Sequence, residues 1–228
     1  MEDAEGRGRG AEVRNFEART AASRAVVNRS ALEAARLASS DRELQSTFYE
    51  LLKAQVRLPY GEEWDRLREI ADAALFTGYR ETIRFAALSL DGAGLFHYGD
   101  CSLELREDMI AHRASVFEEN STLFLKQHHY DPPLGHRATW GDRSKLCVSK
   151  LAGELRESSS EPEFSVLLLS PGETPAEDRF VEVHIWGPLS LYCLKRGLFR
   201  RKPDTSPTLL LAAQEIFTKA GLDFEVLS

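Results

Sequence analysis

The chain is poor in cysteine, with three in 228 residues. Cys101, Cys147 and Cys193 are far apart, odd in number and form no CxxC pair. That argues against a disulfide framework or a cysteine-held zinc, and the plain expectation is buried free thiols in a reducing cytosol. Long apolar runs are also missing. No stretch approaches the roughly 20 residues needed to cross a bilayer, so no membrane partner is expected. The opening MEDAEGRGRG is polar and has no apolar centre, unlike a secretory signal. A cytoplasmic location follows as the expectation, with export by another route as the alternative. No GxGxxG follows a strand pattern, and no GxxxxGK followed by Ser or Thr is present, so two common phosphate cradles are absent. GxSxG and HExxH are absent too, and no repeat of 20–50 residues is visible.

What is present is a core-forming composition: 43% hydrophobic and 9% aromatic residues. That excludes a disordered or fibrous chain. The formal net charge of -7 gives no bulk attraction to nucleic acid or to an anionic membrane. The length suits one domain, or one domain with an added helical lobe.

Residues 1–12 are mostly Gly, Arg and Glu and are expected to be disordered. Residues 13–39, rich in Ala and Arg, favour helix by propensity. Ser40 and Glu43 fit a capping box, followed by Leu44, Phe48, Leu51, Leu52 and Val56 at helical spacing up to Pro59. A third helix is expected over 61–77, with Trp64, Leu67, Ala71, Ala74 and Leu75 inward and Gly78 closing it. Residues 13–78 thus read as a helical lobe.

The period then changes. Strands are expected over 83–90, 95–106, 109–117, 164–169, 180–186 and 224–227, with helices over 142–155 and 208–220. Residues 189–194 read equally as a pairing strand or a short helix. Helices first and strands later argue for an α+β fold: a helical lobe, then a mostly antiparallel, strand-rich core domain over 79–228.

Four polar clusters could carry chemistry. On a strand at 180–186, Glu182 and His184 project together between Phe180 and Trp186, opposite Val181, Val183 and Ile185. Such a carboxylate–imidazole pair can bind and polarise a sugar or amide, or it can simply face solvent. In the second cluster Arg113, Ser115 and Phe117 share a face, and Glu118, Glu119, Asn120 and Ser121 follow at the strand exit. A fixed guanidinium there could clamp a phosphate, or be an ordinary exposed arginine. The third is the loop His128-His129-Tyr130-Asp131-Pro132-Pro133-Leu134-Gly135-His136-Arg137. His129, Asp131 and His136 could serve a nuclease or ligate zinc, but their spacing fits no tight ligand motif and no metal is expected. The fourth is Lys195, Arg196, Arg200, Arg201 and Lys202, a docking patch for an acidic partner or RNA, or a solvated loop.

His97-Tyr98-Gly99-Asp100, then Arg113-Ala114-Ser115, Asn120-Ser121 and Glu182-Val183-His184-Ile185-Trp186-Gly187 together resemble the core of toxin-type ADP-ribosyltransferases, over about residues 83–190. The resemblance implies an enzyme that cleaves the nicotinamide glycosidic bond of NAD, a bacterial effector or toxin, with NAD as substrate, an unidentified acceptor and no metal. It implies Arg113 on the pyrophosphate and His97 or Tyr98 against the ribose or nicotinamide. Ser115 or Ser121 would stand for the hydroxyl motif, with Asn120 and Trp186 also in the cofactor site. Glu182, His184 and Glu118 would form the catalytic set. His184 stands where the family usually carries its catalytic Glu, which leaves Glu182, or a loop acid such as Glu118 or Glu119, as the carboxylate. The alternatives are a non-catalytic interaction domain on the same scaffold and a nuclease built on the His129–His136 loop.

Overall fold

The computed structural model describes residues 9–54, 62–129, 131, 135–174, 177–201 and 206–227, with the side chains of 62–64 excepted. Helix α1 (Gly10–Ala21) leads to strand β1 (Arg24–Arg29), helices α2 (Ala31–Ser39), α3 (Phe48–Lys53) and α4 (Glu62–Leu75), and strands β2 (Ile83–Ser89) and β3 (Cys101–Leu105). Next come α5 (Glu107–Ile110), β4 (Ala114–Phe117), α6 (Ser121–Gln127), β5 (Arg137–Thr139), α7 (Arg143–Leu151) and α8 (Glu161–Leu168). The chain ends with β6 (Leu169–Ser170), β7 (Arg179–Phe180), β8 (Glu182–Trp186), β9 (Leu194–Arg200), α9 (Pro207–Lys219) and β10 (Asp223–Leu227).

Eight strands form one sheet in the order β10-β9-β3-β1-β2-β8-β4-β5. Every pairing in it is antiparallel except β9 with β10. The architecture is α+β, as the element pattern predicts.

The two faces of the sheet differ in chemistry. One is apolar: Ala25, Val27, Leu88, Leu103, Val183, Ile185 and Phe199 form a single core with residues of α1, α2, α7, α8 and α9. The other carries Asn28, Ser102, Glu104, Glu182 and His184, all buried although polar. Helices α3, α4 and α6 lie over its β2–β8–β4 side, joined to it by the polar and aromatic contacts described below. Burying apolar surface explains the first face; the second needs partners for every polar group it hides.

Several expected elements are corrected. Residues 24–29 are a strand between β3 and β2, not helix, so 13–78 is not helical throughout. The Val26–Val27 pair suits a strand covered on both sides, and four of its six residues are buried. Of the residues expected to be disordered, 1–8 lie outside the described ones, and Gly10 already begins α1. Ser40 opens no helix; it is the C-cap of α2, whose N-cap Ser30 accepts from the Glu33 amide. The capping box sits at Thr47, whose Oγ1 accepts from the Glu50 amide at 3.1 Å while Glu50 accepts from the Thr47 amide at 2.7 Å. Val56, Pro59 and Gly61 lie outside the described residues, as does the Trp64 side chain.

Residues 109–113 wind in helical turns, and only Ala114–Phe117 of that stretch pairs as strand. Residues 161–168 are helix rather than strand: the Ser160 amide donates to Glu163, Pro162 sits in the first turn, and Phe164 and Leu168 bury one face. The basic stretch at 195–200 is strand β9 rather than a loop. Lys195 and Arg196 there donate to the buried carboxylate of Glu104 at 2.8 and 2.7 Å. Arg200 and Arg201 are exposed, and Lys202 lies outside the described residues. All three cysteines are buried and free. Among the described residues no helix is long and apolar enough to cross a membrane.

Candidate functional site

Register places the site. Glu182 sits opposite Ala87 of β2 and Phe117 of β4, and His184 opposite Phe85 and Ser115, so these side chains share the polar face. Helix α4 crosses above them and turns Asp65, Arg68 and Asp72 toward the sheet, all with little exposure. Spacings of three and four residues put this acid–base–acid set on one helical stripe.

Glu182 is 1% exposed and His184 2%. Arg68 Nη1 donates to Glu182 Oε1 at 3.2 Å. The Ser121 amide, in the first turn of α6, donates to Oε2 at 2.9 Å, and His184 Nε2 stands 3.1 Å from the same oxygen. Burial alone would raise the Glu182 carboxyl, but the Arg68 charge, then His184 and Ser121, outweigh it and hold it at about 2. The Glu182 charge is therefore permanent at neutral pH.

Burial lowers His184 below the ordinary histidine range, against the pull of Glu182 and with help from Arg137 and Arg68. The ring is neutral at neutral pH, so the proton facing Glu182 is on Nε2. It is caged by Phe76, Phe85 and Phe117, with centroids at 4.7, 5.5 and 5.5 Å.

Arg68 reaches a second acid, Asp72 Oδ1, at 3.1 Å, and its guanidinium lies 3.5 Å above the centre of the Phe85 ring. Tyr49 of α3 donates to Asp72 Oδ2 at 2.9 Å. Burial raises the Asp72 carboxyl, with Glu182 adding and Arg68 and Tyr49 opposing. One guanidinium thus holds two carboxylates, fixing α3 and α4 on the sheet.

Beside this cluster lies a cavity of about 240 Å³ over β1, β2 and β8, lined by Asn28, Asp65, Arg68, Tyr98, Asn120 and Glu182 among others. The Asn28 amide is fixed, donating to Ser102 Oγ at 3.0 Å and to the Gly99 carbonyl at 3.2 Å. Gly99 has φ 147°, and a Cβ there would come within 2.2 Å of the Arg29 carbonyl carbon. Only glycine fits, and its turn sets Tyr98 at the cavity edge. The Asn120 side chain caps α6 by accepting from the Thr122 amide at 3.1 Å.

Of the residues singled out from the sequence, Glu182, Tyr98 and Asn120 line this cavity together. Ser121 supports Glu182 through its amide, and His184 stands behind it. Ser115 lies on the same face, across from His184, outside the lining. The others lie elsewhere. Arg113 donates to the main-chain carbonyls of Met109, Trp186 and Pro188 at 3.0, 2.7 and 2.9 Å, a structural clamp rather than a phosphate holder. Trp186 is 60% exposed at the strand end. Glu118 pairs with Lys150 at 2.5 Å, away from the lining. His97 Nδ1 meets the fully buried Asp178 at 3.1 Å.

In the histidine loop, His128 packs on Phe124 and His136 on both Phe117 and Phe124. Tyr130 and 132–134 lie outside the described residues. Among the described residues no three His, Cys, Asp or Glu side chains are gathered to hold a metal.

Sequence reading missed Arg68, Asp72, Tyr49 and Asn28. The signal for the first two was present: Asp65, Arg68 and Asp72 interrupt the stripe carrying Leu67 and Ala71, which a purely apolar helix face would not tolerate. Compared with known families and characterised proteins, the chain matches no family model and no curated protein.

Proposed function

We propose that the chain binds a small polar molecule in the cavity over β1, β2 and β8, with Glu182 as the fixed negative group at its floor. The observation that carries this reading is the convergence of Asn28, Asp65, Arg68, Tyr98, Asn120 and Glu182 on one cavity. A cleft with a few convergent polar groups and a perturbed titratable residue is the usual form of a binding site. At about 240 Å³ it is below the roughly 300–1,000 Å³ of pockets that hold drug-sized ligands, so it takes a small molecule or one end of a larger one. Arg29, Arg68 and Arg84 balance Glu33, Asp65 and Glu182 in the lining, which favours a neutral or zwitterionic ligand over a polyanion.

A second reading follows from the resemblance to ADP-ribosyltransferases, favoured by one observation: Tyr98, Asn120 and Glu182 line the same cavity. The nicotinamide end of NAD would enter and the phosphates remain outside. Cleavage of the glycosidic bond develops an oxocarbenium-like cation, and the charge of Glu182 would stabilise it. Arg68, rather than Arg113, is the basic group that meets Glu182.

Incubation of the wild type and Glu182→Gln with NAD, reading nicotinamide release, tests this second reading. Turnover that falls a hundredfold or more in the variant, about 2.7 kcal/mol, supports it. A wild type that neither binds nor cleaves NAD removes it and leaves the small-ligand reading to its own test.

A further inference from the structure

Three residues of the cavity lining carry neutral amides and are nearly closed to solvent: Asn28, Gln45 and Asn120, at 7%, 3% and 2% exposure. Two of these amides are spent at one end, and their partners fix which end remains. The Gly99 carbonyl can only accept, so the Asn28 atom facing it is Nδ2, and Oδ1 is left over. The Thr122 amide can only donate, so the Asn120 atom facing it is Oδ1, and Nδ2 is left over. Among the described residues neither left-over atom has a hydrogen-bond partner, and neither end of the Gln45 side chain has one. Unlike the hydroxyls of Ser121 and Thr122, none of these amide atoms is sealed off, so part of the small surface these residues keep lies on the amides themselves. The charges around them are answered. Arg68 holds Asp72 and Glu182, Arg29 holds Glu33 at 3.2 Å, and Arg84 is turned to the main-chain carbonyls of Thr82 and Gln45. A buried polar group without a partner is costly, and a ligand that pairs with it recovers that cost.

We infer that the ligand is a neutral molecule with a cis-amide edge, an N–H beside a C=O as in a lactam or ureide. The inference rests on the reading of this cavity as a ligand site and is independent of NAD cleavage. Asn28 Oδ1 is an acceptor for the N–H, and Asn120 Nδ2 is a donor for the C=O. Gln45, whose own amide has both, can pair with either. A carboxylate has no N–H to give and would bring a charge that no free cation answers, beside Glu182. A polyol could satisfy the amides, but Val26, Phe85, Ala87 and Leu95 in the same lining are apolar and suit the flat faces of a ring.

The test is an NMR titration of the full chain, read at the side-chain amides of Asn28, Gln45 and Asn120. The probes are 2-pyrrolidinone, cyclopentanone (the same ring and carbonyl without the N–H), erythritol and sodium acetate. The expected result is a saturable shift with 2-pyrrolidinone and binding at least tenfold weaker for each of the others, about 1.4 kcal/mol. Asn120→Asp keeps an oxygen to cap α6 and removes only the donor, and Gln45→Met removes an amide without touching the cap or the charge. Each should lower 2-pyrrolidinone affinity at least tenfold, read at Asn28. If cyclopentanone, erythritol or acetate binds as tightly as 2-pyrrolidinone, or if both variants bind it like the wild type, the cis-amide assignment is overturned and the cavity reading stands. If none of the four probes shifts a cavity resonance, the assignment is overturned, and the cavity reading falls with it when nicotinamide is equally silent.

Discussion

Arg68 of α4 and Glu182 of β8, 114 positions apart, meet at 3.2 Å where the helix lies on the sheet. The same guanidinium holds Asp72, so one residue answers two buried carboxylates.

Arg68→Met should therefore be among the most destabilising substitutions in the chain. It removes the shared partner and leaves two acids buried. Loss of one partner of a buried pair costs about 3–5 kcal/mol. Urea unfolding followed by circular dichroism should show that loss, and Arg68→Met, Glu182→Gln should show less than the sum of the single changes because the sites are coupled.

The depressed Glu182 carboxyl gives stability a defined acid limb. Its folded value, about 2, lies below the unfolded value of about 4.3. Its contribution is complete above the unfolded value and is lost as pH falls through the folded one. Unfolding free energies measured from pH 5 to pH 2 should fall more steeply in the wild type than in Glu182→Gln.

His184 acts in a higher window. Its folded value is lowered, chiefly by burial, below the unfolded value of about 6.5. The unfolded chain therefore takes up the proton first, and stability declines as pH drops below about 6.5 toward the folded value. His184→Phe, which keeps the aromatic packing, should flatten that part of the curve.

Thr47→Ala should cost about 1 kcal/mol, because it removes one half of the capping box that starts α3. Since α3 carries Tyr49, hydrogen-exchange protection should fall across Tyr49–Lys53 before it falls in β1 or β2. Ser40→Ala, by contrast, removes only an exposed turn contact to the Arg42 amide and should be near neutral.

The sequence made the apolar half of this molecule readable and the polar half hard to read. Helix α9 and strands β2 and β8 follow their periodicity closely. The strand at Arg24–Arg29 was hidden because it lies between two Ala-rich helices and is covered on both faces, so it shows no alternation. The stretch 161–168 misled in the opposite sense: Phe164, Val166, Leu167 and Leu168 look like a buried strand, and only Ser160, Pro162 and Glu163 mark the helix start. In the site, Glu182 and His184 were legible as an alternating pair, as were Tyr98 and Asn120 through a resemblance. Arg68 and Asp72 show in the sequence only as polar breaks in the stripe of α4; the pairing of Arg68 with Glu182, 114 positions on, leaves no local pattern. Arg113 was misplaced because strand alternation does not extend back through the helical turns at 107–113, which swing it onto main-chain carbonyls.

The account stands most directly on whether the cavity beside Glu182 receives a small polar molecule. A heteronuclear NMR titration of the full chain with nicotinamide, read at the side-chain amides of Asn28 and Asn120 and the ring of Tyr98, measures this without assuming any reaction. The account predicts saturable shifts concentrated on those residues and strongly reduced in Asn28→Leu. Shifts scattered over the surface and growing linearly with concentration, or no shift at all at those three residues, would contradict it.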